Sequence, residues 1–318
     1  MRIVFMGTPE FAVPSLAALL TSEHSVVGVV TQPDRPKGRG QELAASPIKQ
    51  LAVRHRIPIL QPLKMKDPAF LDALSAWQPD LIVVTAFGRI LPKIILDLPP
   101  HGCINVHASL LPKYRGAGPI QWAIIKGERE TGITTMLMDE GMDTGAILLQ
   151  EKISITPDDT AGTLSAKLAD IGGRLLTDTL ARIQDGTVTS QPQDQSQATL
   201  APLLRKEDGL LDWTLPAFEL ANRVRGLSPW PGAYTYLGED RWVVWKTSVL
   251  DRSAATVLPG TIVNATKEEL AVATGDGILR IMEFQPANSR RMSAAQYLAG
   301  HQLTPGLRLG SPPPTAAA

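Results

Sequence analysis

Residues 1–30, MRIVFMGTPEFAVPSLAALLTSEHSVVGVV, carry the pattern on which the fold turns. Ile3 to Met6 is a continuous apolar run closed by Gly7, the amphipathic stretch Pro9 to Leu20 follows, and Ser25 to Val30 is apolar again. A strand without polar alternation is buried on both faces, as in parallel sheets covered by helices. The pattern then repeats. It predicts a helix near Ile48 to Arg56, a strand in IPIL (57–60), a helix near Ala69 to Trp77 and a strand in DLIVVTAFG (80–88). Such alternation gives an α/β fold: an open, mostly parallel Rossmann-like sheet.

Beyond Gly102, CINVHASLLP (103–112) reads as a further strand running into a loop, and Pro119 to Lys126 as a short helix. GITTMLMDEGMDTGAILLQEKISI (132–155) reads as two strands around a turn at Glu140 to Gly145. Leu164, Leu168, Ile171 and Leu175 recur at the spacing of one helical face, with Asp159 and Thr160 as candidate caps. The run 187–202, TVTSQPQDQSQATLAP, has neither hydrophobic period and reads as a connection. After one helical stretch at Pro216 to Val224, the signals become short and β-like: AYTYL, RWVVWKTSVL, GTIVNA, ELAVAT, GILRIMEF. Short strands with glycine-bearing turns predict a small C-terminal β-barrel. The expected division is a domain at 1–188, a linker at 189–204, a barrel domain at 205–308 and a disordered tail at 309–318.

Bulk properties bound the function. The chain has 318 residues, enough for two cores, and 31 Lys plus Arg balance 31 Asp plus Glu. Overall charge therefore does not advertise nucleic acid, although residues 284–318 hold Arg290, Arg291 and Arg308 with no carboxylate. Cys103 stands alone, so no internal disulfide forms. There is no signal-peptide core and no run of about 20 apolar residues. A cytoplasmic protein without a membrane span is the expectation. The five His and one Cys are scattered, which argues against a metal centre.

Two motifs carry chemistry. NVHASLLP (105–112) puts Asn105 and His107 on one face of a strand near its C-terminal end, the edge where open α/β sheets bind ligands. MDEGMDTG (138–145) supplies Asp143. An amide donor, an imidazole and a carboxylate are the groups that stabilise an oxyanion and move protons in acyl transfer. On residue types alone, a lone histidine is more often structural, and an aspartate in a DxG turn more often an ordinary turn residue, so composition does not decide. GTPEFA (7–12) lacks the second and third glycines of a dinucleotide loop, so a hydride-transfer reading loses its support.

The whole stretch NVHASLLPKYRGAGPIQWAIIKGERETGITTMLMDEGMDTG (105–145) resembles the formyl-transfer core of enzymes that use 10-formyltetrahydrofolate. With MGTPEFAVPSL (6–16), PDRPKGRGQEL (33–43) and ELANRVRGLSPWPGAY (219–234), the chain resembles the methionyl-tRNA formyltransferase family over nearly its whole length. It departs at Lys113 and Tyr114, where Arg and Trp are common in that family. The resemblance implies catalytic roles for Asn105, His107 and Asp143, without a metal, and a folate site lined by Ser109, Leu110, Leu111 and Pro112. Phe87, Gly88, Ile90 and Leu91 are candidates to pack against the pterin, or equally plain core. The implied partner is methionyl initiator tRNA, held at its acceptor stem and aminoacyl end by a monomeric enzyme. Arg35, Lys37 and Arg39 mark the loop implied to meet the tRNA, and the barrel is implied to be of the oligonucleotide-binding type. Arg223, Arg225, Lys246, Arg280, Arg290 and Arg291 are candidate phosphate contacts there, and Trp230 is expected to be packed. The rival expectation is formyl transfer to another amine, an amino sugar or a glycinamide.

Overall fold

In the computed structural model, which describes residues 1–37, 42–251 and 257–311, the apolar runs become strands in the predicted order. The first unit begins with β1 (Arg2–Gly7), α1 (Val13–Leu20) and β2 (Ser25–Val30). A short hairpin, β3 (Arg35–Lys37) and β4 (Glu42–Ala44), comes next, then α2 (Pro47–Arg54), β5 (Ile59–Leu60), α3 (Pro68–Ala76) and β6 (Leu81–Thr85). Along the chain come next α4 (Lys93–Leu96), β7 (Cys103–His107), α5 (Pro119–Ile125), which falls almost wholly in the second unit, β8 (Glu130–Leu137), β9 (Ile147–Ser154) and α6 (Ala161–Gln184). Local sequence explains the helix starts: Ser46 and Asp67 cap α2 and α3 by accepting from Lys49 N and Ala69 N, each with a proline in the first turn.

Strand order is β5-β2-β1-β6-β7-β8-β9. The pairs from β5 through β7 are parallel, and β8 and β9 extend the sheet antiparallel. From β1 the chain winds outward through β2 to β5, then returns to build β6 and β7 on the other side. The strand order thus reverses between β1 and β6, which is where such sheets open a ligand crevice at their carboxyl ends. Gly7 sits there for a packing reason. A Cβ on it would lie 2.7 Å from Phe5 Cε1 and 2.9 Å from Thr85 O. The two-glycine deficit noted above is therefore consistent with a tight turn.

Two sequence-based expectations change here. The loop at 33–43 contains the arms of a hairpin, Arg35 pairing with Ala44 and Lys37 with Glu42, while Arg39 lies outside the described residues. The run read as a linker, 189–204, is hydrogen-bonded into the first unit through most of its length. Gln191 exchanges both backbone bonds with Ile147, and Thr199 and Ala201 bond to Arg115. Paired backbone needs no hydrophobic period, which is why composition alone suggested a free connection. By contacts the first unit comprises Met1–Pro119, Glu130–Ser154 and Ser165–Pro202, and the second takes Ile120–Arg129, Ile155–Leu164 and the chain from Leu203.

The second unit adds α7 (Ala217–Gly226), β10 (Ala233–Leu237), β11 (Asp240–Leu250), β12 (Ile262–Ala265), β13 (Leu270–Ala273), β14 (Ile278–Gln285), β15 (Met292–Ser293), α8 (Ala294–Gly300) and β16 (Leu309–Gly310). Its order is β12-β13-β14-β11-β10-β16, antiparallel throughout, with β15 on β14. Residues 306–309 also bond back to Gly260 and Ile262, so the terminal segment joins β10 to β12 and closes the sheet into a barrel. This corrects the tail expectation. Leu309 is buried and Gly310 pairs with Tyr236; in the sequence, the Pro- and Ala-rich run SPPPTAAA (311–318) hides the short closing strand before it. The remaining tail, 312–318, lies outside the described residues. Trp242 and Phe284, ring centroids 4.5 Å apart, centre the barrel core with Ile262, Val272 and Leu279.

Among the described residues no helix is long and apolar enough to cross a membrane, and no group of three or more His, Cys, Asp or Glu is placed to hold a metal ion.

Candidate active site

β7 carries Asn105 and His107 at its carboxyl end, and the turn between β8 and β9 carries Asp143. The structure brings the three together. Asn105 Nδ2 donates to Asp143 Oδ1 at 3.2 Å, and His107 Nδ1 lies 3.6 Å from Asp143 Oδ2. The second oxygen is also fixed from the backbone, because Gly116 N donates to it at 2.8 Å. His107 Nε2 is 3.0 Å from Tyr114 O. A carbonyl only accepts, so Nε2 carries a proton there and the Nδ1 edge is the one turned to the carboxylate.

Backbone conformation positions these groups. Asp143 has φ +55°, a left-handed conformation that costs an L-residue about 1–3 kcal/mol and persists where its surroundings hold it. Gly116, at φ +115°, belongs where it is: a Cβ there would stand 2.8 Å from Ala201 O and block the close approach that aims its N–H at Asp143.

The residues assigned to the folate site divide. Ser109 is buried and gives its hydroxyl to Lys113 O at 2.6 Å, while Leu111 is buried with its backbone tied to Thr134 Oγ1 and Gln150 Nε2. These two shape the 108–113 loop from inside. Leu110 and Pro112 are half-buried. Phe87 and Leu91 belong to the apolar core with Val4, Val84 and Ile95, whereas Gly88 is exposed and Ile90 is 85% exposed. Of these four candidates, only Gly88 and Ile90 offer surface. The carbonyl of Phe87 accepts from Gln32 Nε2 at 2.8 Å, and Arg35 in turn donates to Gln32 Oε1 at 2.8 Å, tethering the hairpin base to the β6 loop.

Of the basic candidates in the second unit, Arg225 is engaged internally. Its NH1 donates to Asp159 O at 2.8 Å and Thr156 O at 3.1 Å, and burial lowers its pKa against the pull of Asp159 and Asp158. Arg280 donates to Glu268 O and Arg291 pairs with Glu283 at 2.7 Å beside the Trp245 ring. Arg290 and Lys246 are exposed, and Arg223 is half-buried. Trp230, expected to be packed, is 49% exposed.

Sequence reading missed Gln193 and Arg115. Gln193 is 7% and Arg115 6% exposed, and the glutamine's carboxamide joins the arginine to the Asp143 turn. Arg115 stood within a quoted motif without a role, and Gln193 stood in a polar run with no periodicity to single it out.

A left-handed aspartate, an amide and an imidazole thus meet at the carboxyl edge of a switched parallel sheet, in a chain that also carries a barrel. Residues 1–180 match the family model described as formyl transferase, and residues 203–302 the model described as formyl transferase, C-terminal domain. A methionyl-tRNA formyltransferase of Acetivibrio thermocellus is 51% identical over 310 residues, covering 98% of this chain and 100% of that one. The chain belongs to the methionyl-tRNA formyltransferase family. Among solved structures, an N-formyltransferase from Helicobacter canadensis in complex with folinic acid and dTDP-3-aminofucose aligns with a TM-score of 0.67 at 19% identity, over 88% of this chain and 98% of that one. HypX from Aquifex aeolicus in complex with tetrahydrofolic acid aligns with a TM-score of 0.61 at 17% identity over 94% of this chain, which spans 47% of that protein. At such identities these two speak for the fold alone.

Proposed function

We propose that this chain transfers the formyl group of 10-formyltetrahydrofolate to the free α-amino group of methionyl initiator tRNA, giving N-formylmethionyl-tRNA and tetrahydrofolate. The observation that carries the reading is the convergence of Asn105 and His107 on the Asp143 carboxylate, at 3.2 Å and 3.6 Å, within a chain of this family.

The reaction needs an oxyanion stabilised and a proton moved. The amine nitrogen attacks the formyl carbon, and the carbonyl electron pair moves onto the formyl oxygen. Asn105 spends one Nδ2–H on Asp143 and keeps a second for that oxygen. The Nδ1 edge of His107, too far from Asp143 at 3.6 Å for a full hydrogen bond, is available to share a proton between the carboxylate and the oxyanion. Asp143 takes the proton lost by the attacking amine and passes it toward the leaving N10 of the folate. The C–N10 bond then breaks as the carbonyl re-forms.

The folate lies against Leu110, Pro112, Gly88 and Ile90. The tRNA acceptor stem and aminoacyl end meet the 33–43 segment of the sequence, which holds Arg35, Lys37 and Arg39, and residues 205–308 bind phosphate through Arg223, Lys246, Arg280, Arg290 and Arg291. Residues 1–188 form the catalytic domain of a cytoplasmic monomer.

The test supplies 10-formyltetrahydrofolate with three acceptors in parallel: charged methionyl initiator tRNA, a 3-amino-sugar nucleotide and a glycinamide ribonucleotide. Formylation of the tRNA alone is expected. Turnover on the sugar or the glycinamide with none on tRNA overturns the reading.

A further inference from the structure

We infer that Gln193 is a positioning residue for formyl transfer, acting through Asp143 and itself oriented by Arg115. The inference rests on the reading of Asp143 as catalytic and extends it to a residue fifty positions away in the polar run that follows α6.

The carboxamide stands between two kinds of neighbour with opposite demands. On one side Nε2 donates to Asp143 O at 2.9 Å and to Gly145 O at 2.7 Å. On the other, Oε1 accepts from Arg115 Nε at 3.1 Å and from its NH2 at 2.7 Å. Carbonyls only accept and a guanidinium only donates, so one orientation of the amide satisfies both, and it is the one present. Arg115 NH1 meanwhile donates to Gln195 Oε1 at 2.8 Å, which fixes the guanidinium from the same polar run.

The consequence reaches the carboxylate. Asp143 is left-handed, and its carbonyl and its side chain leave the same Cα. Pinning that carbonyl and the one at Gly145 fixes the turn, and the turn fixes where Oδ1 and Oδ2 fall relative to Asn105, His107 and Gly116 N. Gln193 touches neither reacting group. Its effect is on the placement of one that does, and sub-ångström placement governs the rate of such transfers.

Gln193→Glu keeps the size and an acceptor for Arg115, yet it faces two carbonyl oxygens with no N–H. Gln193→Ala removes the carboxamide without adding charge and serves if the first variant does not fold. Both are compared with the unaltered chain, with Asp143→Asn, and with each double variant, by steady-state formylation of methionyl-tRNA. In the substrate-free protein, hydrogen exchange of the Gly116 amide is followed alongside that of Ile104 in β7.

Each Gln193 variant is expected to lower kcat by about 10- to 100-fold, with the KM for both substrates within about twofold of the unaltered chain. Placed on Asp143→Asn, either change should cost less than about twofold more, because a residue that acts through Asp143 has nothing left to position. Gly116 exchange should accelerate while Ile104 stays protected. Unchanged kcat in both Gln193 variants, losses that multiply in the double variants, or unaltered Gly116 exchange each overturn the inference. If Asp143→Asn retains full turnover, it is the catalytic reading of Asp143 that fails. If Asp143→Asn is impaired and the Gln193 variants are not, only the positioning role falls.

Discussion

His107 Nδ1 and Asp143 Oδ2 face one another at 3.6 Å, with the opposite edge of the ring held by Tyr114 O and the same carboxylate oxygen held by Gly116 N. Each partner is fixed from behind by backbone, so neither follows the other if one is changed. In Asp143→Asn the side-chain oxygen serves either Gly116 N or Asn105 Nδ2, and the new NH2 then confronts the remaining donor. In the proposed mechanism, loss of the proton acceptor and a donor clash act together. Turnover should fall by about 10²- to 10⁴-fold, the range of general acid–base contributions, while the melting temperature moves little. Full turnover in Asp143→Asn removes the carboxylate from the mechanism.

Asn105 tests a different part of the same reaction. It is half-buried on β7, paired in register with Met136, and its side chain takes no part in the apolar core. Asn105→Ala should lower kcat by about 10²- to 10³-fold, equivalent to about 3–4 kcal/mol of oxyanion stabilisation, with KM for the folate nearly constant. A KM rise with constant kcat shows instead that Asn105 serves ground-state binding.

Much of this architecture was legible because hydrophobic runs report burial on both faces, and β1, β2, β6 and β7 are such runs. The place of Asn105 and His107 on one face was legible in the same way, as two polar residues at even spacing in an apolar strand, whereas the role expected of them came from the family resemblance. Gln193 and the pairing of Gln191 with Ile147 were not, because they depend on backbone bonds and one carboxamide, which leave no period in sequence. The closing strand at Leu309–Gly310 was hidden by its length of two residues beside a Pro- and Ala-rich end. Arg225 shows a further limit. Composition reads a basic residue as surface, whereas two carbonyls at Thr156 and Asp159 hold it inside its unit.

That engagement separates Arg225 from the other basic candidates. Arg225→Ala strips donors from the Thr156 and Asp159 carbonyls and should destabilise the protein by about 1–3 kcal/mol, read as a lower urea midpoint. Arg290→Ala, at an exposed position, should leave the midpoint unchanged and reduce the salt dependence of tRNA binding. If Arg225→Ala leaves the midpoint in place and weakens tRNA binding as Arg290→Ala does, the internal role is wrong.

Asp34 precedes the hairpin and is held by Lys49 Nζ at 2.5 Å and Gln61 Nε2 at 2.8 Å. The Lys49 hydrogen bond, then that of Gln61, lowers its pKa from the ordinary 3.8. A carboxylate with a depressed folded value contributes stability above its ordinary value and loses it as the pH falls through the folded one. Between about pH 5 and pH 2 the unaltered chain should therefore lose stability more steeply than Asp34→Asn, measured by denaturant midpoints across that range. Parallel curves for the two proteins mean that the bridge contributes nothing, as solvent-accessible pairs often do.

Cys103 gives a probe of the strand that carries Asn105 and His107. It is 2% exposed beside Ile82 on β6, and burial pushes its thiol up to about 12. The thiolate attacks the disulfide reagent, so labelling near neutral pH needs both exposure and loss of the thiol proton, which this site retains. Native protein should stay unlabelled by a disulfide reagent and react fully once denatured, with the native-state rate following global opening of the sheet. Because Cys103 shares β7 with the two candidate residues, variants at Asn105 or Asp143 that lower turnover by chemistry alone should label as slowly as the unaltered chain. Faster labelling in such a variant assigns its loss of turnover to a loosened strand instead.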